Sequence, residues 1–300
     1  MKTYIGIDLG GTNVRVAKIT EEGEVLQQIK SPSYGSEGRE KVLENLKKLV
    51  RQIDGWEECS GMGVGVPGPC DQKTGSMSMS TNLPGFTGYP FADDLSKEFG
   101  MPAYIENDAN VAGLAEAVVG AGKGLPVVEY VTISTGIGGA LIVDGKVVSG
   151  KHGYAGEIAN IIIDRDRGTY NHLAPGAVEN EASGTAITRK GRELLPEMNI
   201  RHAGQVFDLA AEGNEAAQKI ADAAIADLAQ LFATLAAVAD PDIFVLGGGM
   251  MKSADKFLDK LIEKYKEITH TALHDTPFVI AQLEEPGIIG AAMVPRSHEE

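Results

Sequence analysis

Short runs rich in β-forming apolar residues span Thr3 to Asp8, Asn13 to Thr20 and Glu24 to Lys30, with turn residues between them. Such runs predict short strands joined as an antiparallel meander. The pattern then turns helical. Val42, Leu46, Leu49 and Ile53 recur at helical spacing and predict a helix within Glu37 to Ile53. Gly63 to Val66, Ala103 to Glu106, Val127 to Ser134 and Ile243 to Leu246 read as buried strands, and Asp108 to Val119 as the helix after the second of them. Periodicity is weak between Lys151 and Gly184, whereas Asn214 to Asp240 is alanine-rich and helical, as is the stretch from about Ala254 to Glu267. Strands that alternate with helices predict an α/β protein. Glycine pairs at Gly120 to Gly124 interrupt the pattern and suggest a lobe boundary, giving a smaller α/β lobe over 1–119 and a larger one over 120–287.

Composition narrows the possible ligands. Three hundred residues, 43% of them apolar, bury an ample core, and at this length two lobes are common. A formal charge of −15 argues against a nucleic-acid groove, which draws its affinity from Lys and Arg neutralising phosphates. Any anionic ligand must be held by backbone amides, helix N-termini or a bound cation. Two cysteines, Cys59 and Cys70, are too few for a disulfide framework or a cysteine-built zinc site, so a reducing cytoplasm is expected. No apolar run reaches the length of a membrane span, and the N-terminus lacks signal-peptide character, so no membrane partner is expected.

Three glycine-rich turns carry the candidate chemistry. In DLGGT, the first strand delivers Asp8 at its end, and Gly10 and Gly11 let the backbone approach an anion. Asp8 then suits Mg²⁺ and Thr12 suits phosphate, although a plain hairpin turn with an exposed Asp explains the string equally well. STGIGG, Ser134 to Gly139, again lies between two strand-like runs, so a duplicated phosphate clamp is a better reading than two hairpins. LGGGM follows the strand Ile243 to Val245, where Gly247, Gly248 and Gly249 leave room for a flat adenine or ribose. Neither a GxGxxG fingerprint nor a P-loop occurs.

Acidic and amide side chains form the second set. Asn107 and Asp108 sit where a strand ends and a helix begins, so a helix cap explains one of them. An aspartate there stays ionised in the field of the helix and suits a general base toward an alcohol. Asn82 is read on an extended segment before a proline, free to face a ligand, while Glu157 and Glu179 are carboxylates among small and apolar neighbours.

The ordered series DLGGT, GVGVPGP, STNLPG, ENDAN, STGIGG, GEI, LGGG and GIIGAA resembles the ROK family of bacterial sugar kinases and repressors over nearly the whole chain. The resemblance implies a two-lobed α/β fold of the actin and hexokinase type, ribonuclease H-like, with a ligand cleft between the lobes and the C-terminal segment, about 288–300, packing back on the first. It implies an ATP-dependent hexose kinase, with Asp108 as general base toward the 6-hydroxyl of a sugar such as glucose. Asn82, Asn107, Glu157 and Glu179 match the sugar contacts. Asp8, Gly10, Gly11 and Thr12 match the first phosphate loop, Thr135, Gly136, Gly138 and Gly139 the second, and Gly247 to Gly249 the adenosine segment. ATP and Mg²⁺ are the implied cofactors, and a homodimer through the larger lobe the implied assembly.

Two departures bear on the substrate. Most family kinases follow GE with Gly and His, then a cysteine cluster that completes a zinc site with that His; here the positions read Ala159 and Asn160, and the cluster aligns with Tyr170, His172 and Ala177. No zinc is therefore expected, despite His152 and His172 nearby. Asn160 offers a different donor and acceptor set near the anomeric end of the sugar, which leaves an N-acetylhexosamine or a β-glucoside as alternative substrates. A non-catalytic sugar-binding regulator is the other alternative. Met1 to Thr3 lead straight into the first strand, ahead of which a repressor carries its DNA-binding segment, so a kinase is the expectation.

Overall fold

The computed structural model describes residues 1–299. Two compact units divide the chain: the first comprises Met1–Pro126, Ala140–Gly156 and the segment from Gln282 onward, the second Val127–Gly139 and Glu157–Ala281.

The first unit opens with β1 (Thr3–Leu9), β2 (Asn13–Thr20) and β3 (Val25–Pro32), followed by α1 (Arg39–Val50), β4 (Met62–Val66), the short β5 (Cys70–Asp71) and β6 (Ser76–Met77), α2 (Phe91–Phe99), β7 (Ala103–Asn107) and α3 (Asp108–Val118). After β8 (Val127–Ile133) comes β9 (Ile137–Val143), which passes from the second unit to the first at Ala140, then β10 (Lys146–Val147). The second unit continues with α4 (Val178–Ala182), α5 (Gly184–Leu194), α6 (Ala203–Ala211), α7 (Glu215–Ala239), β11 (Ile243–Gly247), α8 (Leu258–Ile268) and β12 (Phe278–Ile280). A last helix, α9 (Pro286–Ser297), returns to the first unit, where it packs on β1, β4 and α3.

Two five-stranded sheets follow the same plan, in the orders β3-β2-β1-β4-β7 and β10-β9-β8-β11-β12. The meander β1, β2, β3 is antiparallel, as expected from its short turns, and β4 and β7 join it in parallel. In the second sheet β11 runs parallel to both β8 and β12. Each unit has its own core. That of the first joins Ile5, Ile7, Val64 and Ile105 to Leu46 and Val50 of α1 and Phe91 and Leu95 of α2. That of the second joins Val131, Phe244 and Leu246 to Leu228, Phe232 and Leu235 of α7.

Several local expectations change. The first helix starts at Arg39 rather than Glu37, because Gly38 has φ of 97° and ends a separate 3-10 turn over Gly35–Glu37. The expected helix over about 254–267 is a 3-10 segment, Gly249–Lys256, followed by α8. Phe257 leaves helical geometry between them, buried and stacked on Phe207 at 5.1 Å. No run was expected to reach spanning length, but α7 is long and apolar enough by length and composition alone. Its apolarity has another use, since Ile220, Ala224, Leu228, Phe232 and Leu235 are buried in the second core. Of the C-terminal tail, Glu300 lies outside the described residues.

Candidate functional site

In the first unit, Asp8 and the Asn107–Asp108 pair stand at the carboxyl ends of parallel strands. Asp8 of β1 is opposite Gly65 of β4, which is opposite Glu106 of β7. Strand ends of this kind hold ligands in α/β proteins, because strand pairing stops there and helix N-termini begin.

Asn107 caps α3, its Oδ1 accepting the N–H groups of Ala109 at 2.8 Å and Asn110 at 3.3 Å. The cap reading thus accounts for Asn107 and leaves Asp108 over. Asp108 is open to solvent, with Oδ1 accepting the Ala109 N–H at 2.8 Å. Loss of hydration among the surrounding atoms raises its pKa above the usual aspartate value. The Ala109 bond opposes that rise, and the charge on Asp8 adds to it.

Glu106, one residue earlier, is buried and fully bonded. Oε1 accepts the Asn107 N–H at 2.8 Å and Asn110 Nδ2 at 2.9 Å, while Oε2 accepts Gln72 Nε2 at 2.7 Å and Ser149 Oγ at 3.0 Å. Burial raises its pKa, against the pull of the bonds from Asn110, Asn107 and Ser149. Its place in the chain fixes the backbone on which Asn107 and Asp108 ride.

The DLGGT turn is closed by a bond from the Gly10 N–H to Asn13 O at 2.9 Å, and Thr12 is exposed beyond it. Asn82 lies against this turn, its carbonyl oxygen 3.0 Å from where a side chain on Gly11 would begin. It sits in a bend rather than the expected extended segment, because Ser80 Oγ donates to Leu83 O at 2.7 Å and folds the STNLPG string over. Asp8 is half-buried, with Arg15 Nε 3.9 Å from its Oδ2 and Arg15 Nη1 donating to Glu285 Oε1 at 2.8 Å. Burial raises the Asp8 pKa, Arg15 lowers it and Glu285 raises it again.

The second unit holds the other glycine turns, also at carboxyl ends of parallel strands, with Gly247 of β11 opposite Thr132 of β8. Ser134 donates its N–H to Gly136 O at 2.8 Å, and its own carbonyl accepts the Gly184 N–H at 2.8 Å, which docks the first turn of α5 on the loop. Glu179 on α4 accepts the Ile137 N–H at 2.8 Å and presses on Gly136, where a Cβ would stand 2.3 Å from its Oε2. A side chain there would have to push the Glu179 carboxylate aside. Gly138 and Gly139 continue into β9. Glu157 is half-buried and opens a 3-10 turn over Ile158–Asn160, at the end of which Asn160 is exposed.

A cavity of about 740 Å³ in this unit is lined by Ser134, Thr135, Gly184 and Gly249, with Arg201 and Lys252 on its wall. In a chain of net charge −15, five Arg and Lys side chains against the single acid Asp208, beside a glycine loop and a helix N-terminus, favour an anionic ligand. Sequence reading did not single out Arg201, Lys252 or Glu106. The first two belong to no motif, and Glu106 lies inside ENDAN but takes both bonds to its second oxygen from Gln72 and Ser149, distant in the chain. Among the described residues no group of three or more His, Cys, Asp or Glu side chains lies close enough to hold a metal ion, and His152 and His172 are exposed.

Two sheets of one plan, each with glycine turns at the ends of its parallel strands, define the class of fold, and the sequence relatives define it further. The chain belongs to the ROK family, whose model matches residues 4–297. It is 30% identical to a glucokinase of Thermotoga maritima over 304 aligned residues, covering 97% of this chain and 96% of that protein. Its fold matches the crystal structure of a ROK hexokinase from Thermus thermophilus with a TM-score of 0.86 at 28% identity, covering 97% of each chain. A ROK family glucokinase from Streptomyces griseus, crystallised with glucose and AMPPNP, matches with a TM-score of 0.76 at 26% identity, over 98% of this chain and 99% of that one. The mixed α/β fold is therefore that of the ROK hexokinases.

Proposed function

We propose that this chain is an ATP-dependent sugar kinase, transferring the γ-phosphate of MgATP to the 6-hydroxyl of a hexose such as glucose, with Asp108 as general base. The observation that carries the proposal is the state of that carboxylate. One oxygen is held by the Ala109 N–H, the side chain is open to solvent, and its raised pKa makes it a better proton acceptor than an ordinary aspartate. Family membership and the likeness to a glucokinase bound to glucose and AMPPNP support the choice of sugar and nucleotide.

Asp108 accepts the hydroxyl proton as that oxygen approaches the γ-phosphate, and fixed dipoles take up the charge that develops, since positioning and electrostatics supply most of the catalysis in phosphoryl transfer. The amides of the two glycine turns, Gly10 to Thr12 and Thr135 to Gly139, and the N-terminus of α5 suit the phosphates, with Gly247 to Gly249 toward the nucleoside. Asp8 is the residue that would hold Mg²⁺ with the nucleotide, an ion that neutralises phosphate charge. Asn82, Asn107, Glu157, Asn160 and Glu179 orient the sugar by hydrogen bonds, whose loss would leave polar groups unpaired. Cys59 and Cys70 are both free and buried, in keeping with a cytoplasmic enzyme.

The test is a coupled ADP-release assay with MgATP against free hexoses, N-acetylhexosamines and β-glucosides, with a blank lacking sugar. Turnover on one class well above the blank is expected. Release at the blank rate throughout, with sugar still bound, would replace the kinase by a sugar-binding regulator.

A further inference from the structure

The segment 161–178 closes on itself in the second unit. Ile161 O accepts the Val178 N–H at 2.9 Å, the Ile163 N–H donates to Gly176 O at 2.9 Å, and Ile162 bridges Ala177. The loop base therefore fixes the spacing between the residues just outside it, Glu157 and Asn160 on one side and Glu179 on the other. Its backbone is otherwise irregular, with weak periodicity and few buried apolar side chains.

One side chain ties this loop to the helices. Arg167 donates through Nη1 to Asp227 Oδ2 on α7 at 2.5 Å and to Glu181 Oε2 on α4 at 3.3 Å, and through Nε to Asp164 Oδ2 within the loop at 3.1 Å. Glu181 also accepts Lys190 Nζ at 2.7 Å. Asp227 and Glu181 are 5% and 4% exposed, and carboxylates so deeply buried persist only when paired and hydrogen-bonded. Neither has a part in the proposed phosphoryl transfer. Near the loop tip, the Arg189 guanidinium lies 3.5 Å over the Tyr170 ring, and its Nη2 donates to Asn180 O at 3.0 Å. Glu181 and Glu179 share the single short helix α4, so the pull of Arg167 on Glu181 also sets the helix that carries Glu179.

We propose that Arg167 is a positioning residue for the sugar: by pinning the loop to α4 and α7 it holds Asn160, Glu157 and Glu179 in register, without touching the sugar itself. The inference rests on the reading of those three residues as sugar contacts. It predicts an effect on sugar affinity with little effect on the nucleotide, because neither Arg167 nor its partners Asp164, Glu181 and Asp227 line the cavity that Gly249, Arg201 and Lys252 wall.

Calorimetric titration with glucose, N-acetylglucosamine, N-acetylmannosamine and AMPPNP tests it on the wild type, R167K, R167M and R167M/D227L. The double variant removes the carboxylate that R167M leaves buried and unpaired, and so keeps a folded protein where R167M alone fails. Expected is a loss of sugar affinity of tenfold or more in the folded double variant, with AMPPNP affinity within threefold of wild type and a smaller sugar loss in R167K. Sugar affinity within threefold of wild type, or equal losses for sugar and AMPPNP, would overturn the role of Arg167. A wild type that binds AMPPNP but none of the three sugars would instead remove the reading of the sugar contacts, and this inference with it.

Discussion

Asp108 and Asn107 are neighbours with the same helix end to serve, and the structure divides the work between them. Asn107 spends its side-chain oxygen on two backbone N–H groups, while Asp108 keeps one oxygen uncommitted in a position open to solvent. If Asp108 is the base, replacing it by asparagine keeps the shape and removes the proton acceptor. Asp108→Asn should lower kcat on the order of 10²-fold or more, while sugar binding by calorimetry stays near wild type. Near-normal turnover would take Asp108 out of the role. The base must be ionised to act, and its pKa is raised by loss of hydration among the surrounding atoms and by the charge on Asp8. The acid limb of kcat/KM should therefore fall at a pH above the usual aspartate value, with activity lost as pH drops through it. A limb at or below the ordinary value would contradict the electrostatic environment described. At Gly136 the same scale gives a steric prediction. A methyl group there meets Glu179 Oε2 at 2.3 Å, so Gly136→Ala must displace either the loop or the carboxylate. Turnover should fall at least tenfold in an ADP-release assay, and full activity would mean that the contact is soft.

Elements formed where the pattern was regular and escaped where it was not. The meander β1 to β3 follows from short β-type runs between turn residues, the strands β4, β7, β8 and β11 from brief apolar runs, and the helix α7 from a long alanine-rich stretch. α4 is five residues long and β12 three, too short for any period to register. The loop between Asn160 and Val178 is ordered by ion pairs and a backbone bridge between residues far apart in sequence, which no local pattern encodes. Strand β8 hides another such feature, because Glu129 interrupts an otherwise apolar run and is 2% exposed, with no ion-pair partner among the described residues. Burial pushes its pKa up to about 8 from an ordinary 4.5. In that interval the folded strand keeps a proton that the unfolded chain releases, so stability is intact below pH 4.5 and declines as pH rises through about 8. The slope is about 1.4 kcal/mol per pH unit within the window. Glu129→Gln removes the penalty. Thermal denaturation should show the variant gaining on wild type from pH 5 to pH 8, and a gap that does not widen over that range would mean that Glu129 is solvated or paired.

At the scale of the whole molecule the duplicated plan was only half visible. Two strand, glycine turn, strand units could be read at Asp8 to Thr12 and Ser134 to Gly139, but the parallel additions to each sheet, β4 with β7 and β11 with β12, depend on pairing between distant segments. Nor does any local pattern show that the first unit takes its last helix from the far end of the chain, which only the family resemblance implies. α9 packs on β1, β4 and α3, burying Ile288, Ile289, Met293 and Val294 along with Ala291 and Ala292. Each large apolar side chain contributes roughly 1.5–3 kcal/mol on burial, so these four give about 6–12 kcal/mol, comparable to the whole stability of about 5–15 kcal/mol typical of a folded domain. The β1 and β4 strands cannot bury that face by themselves, because their glycines, Gly6 and Gly63, supply no side chain toward it. A chain ending at Glu285 should therefore lose the cooperative unfolding of the first unit, while the second, whose core contains no residue of α9, keeps its own. Scanning calorimetry of the truncated chain separates the outcomes: one transition of reduced enthalpy with exposed apolar surface is expected, and two intact transitions, or one of full enthalpy, would show that α9 covers the first unit without holding it together.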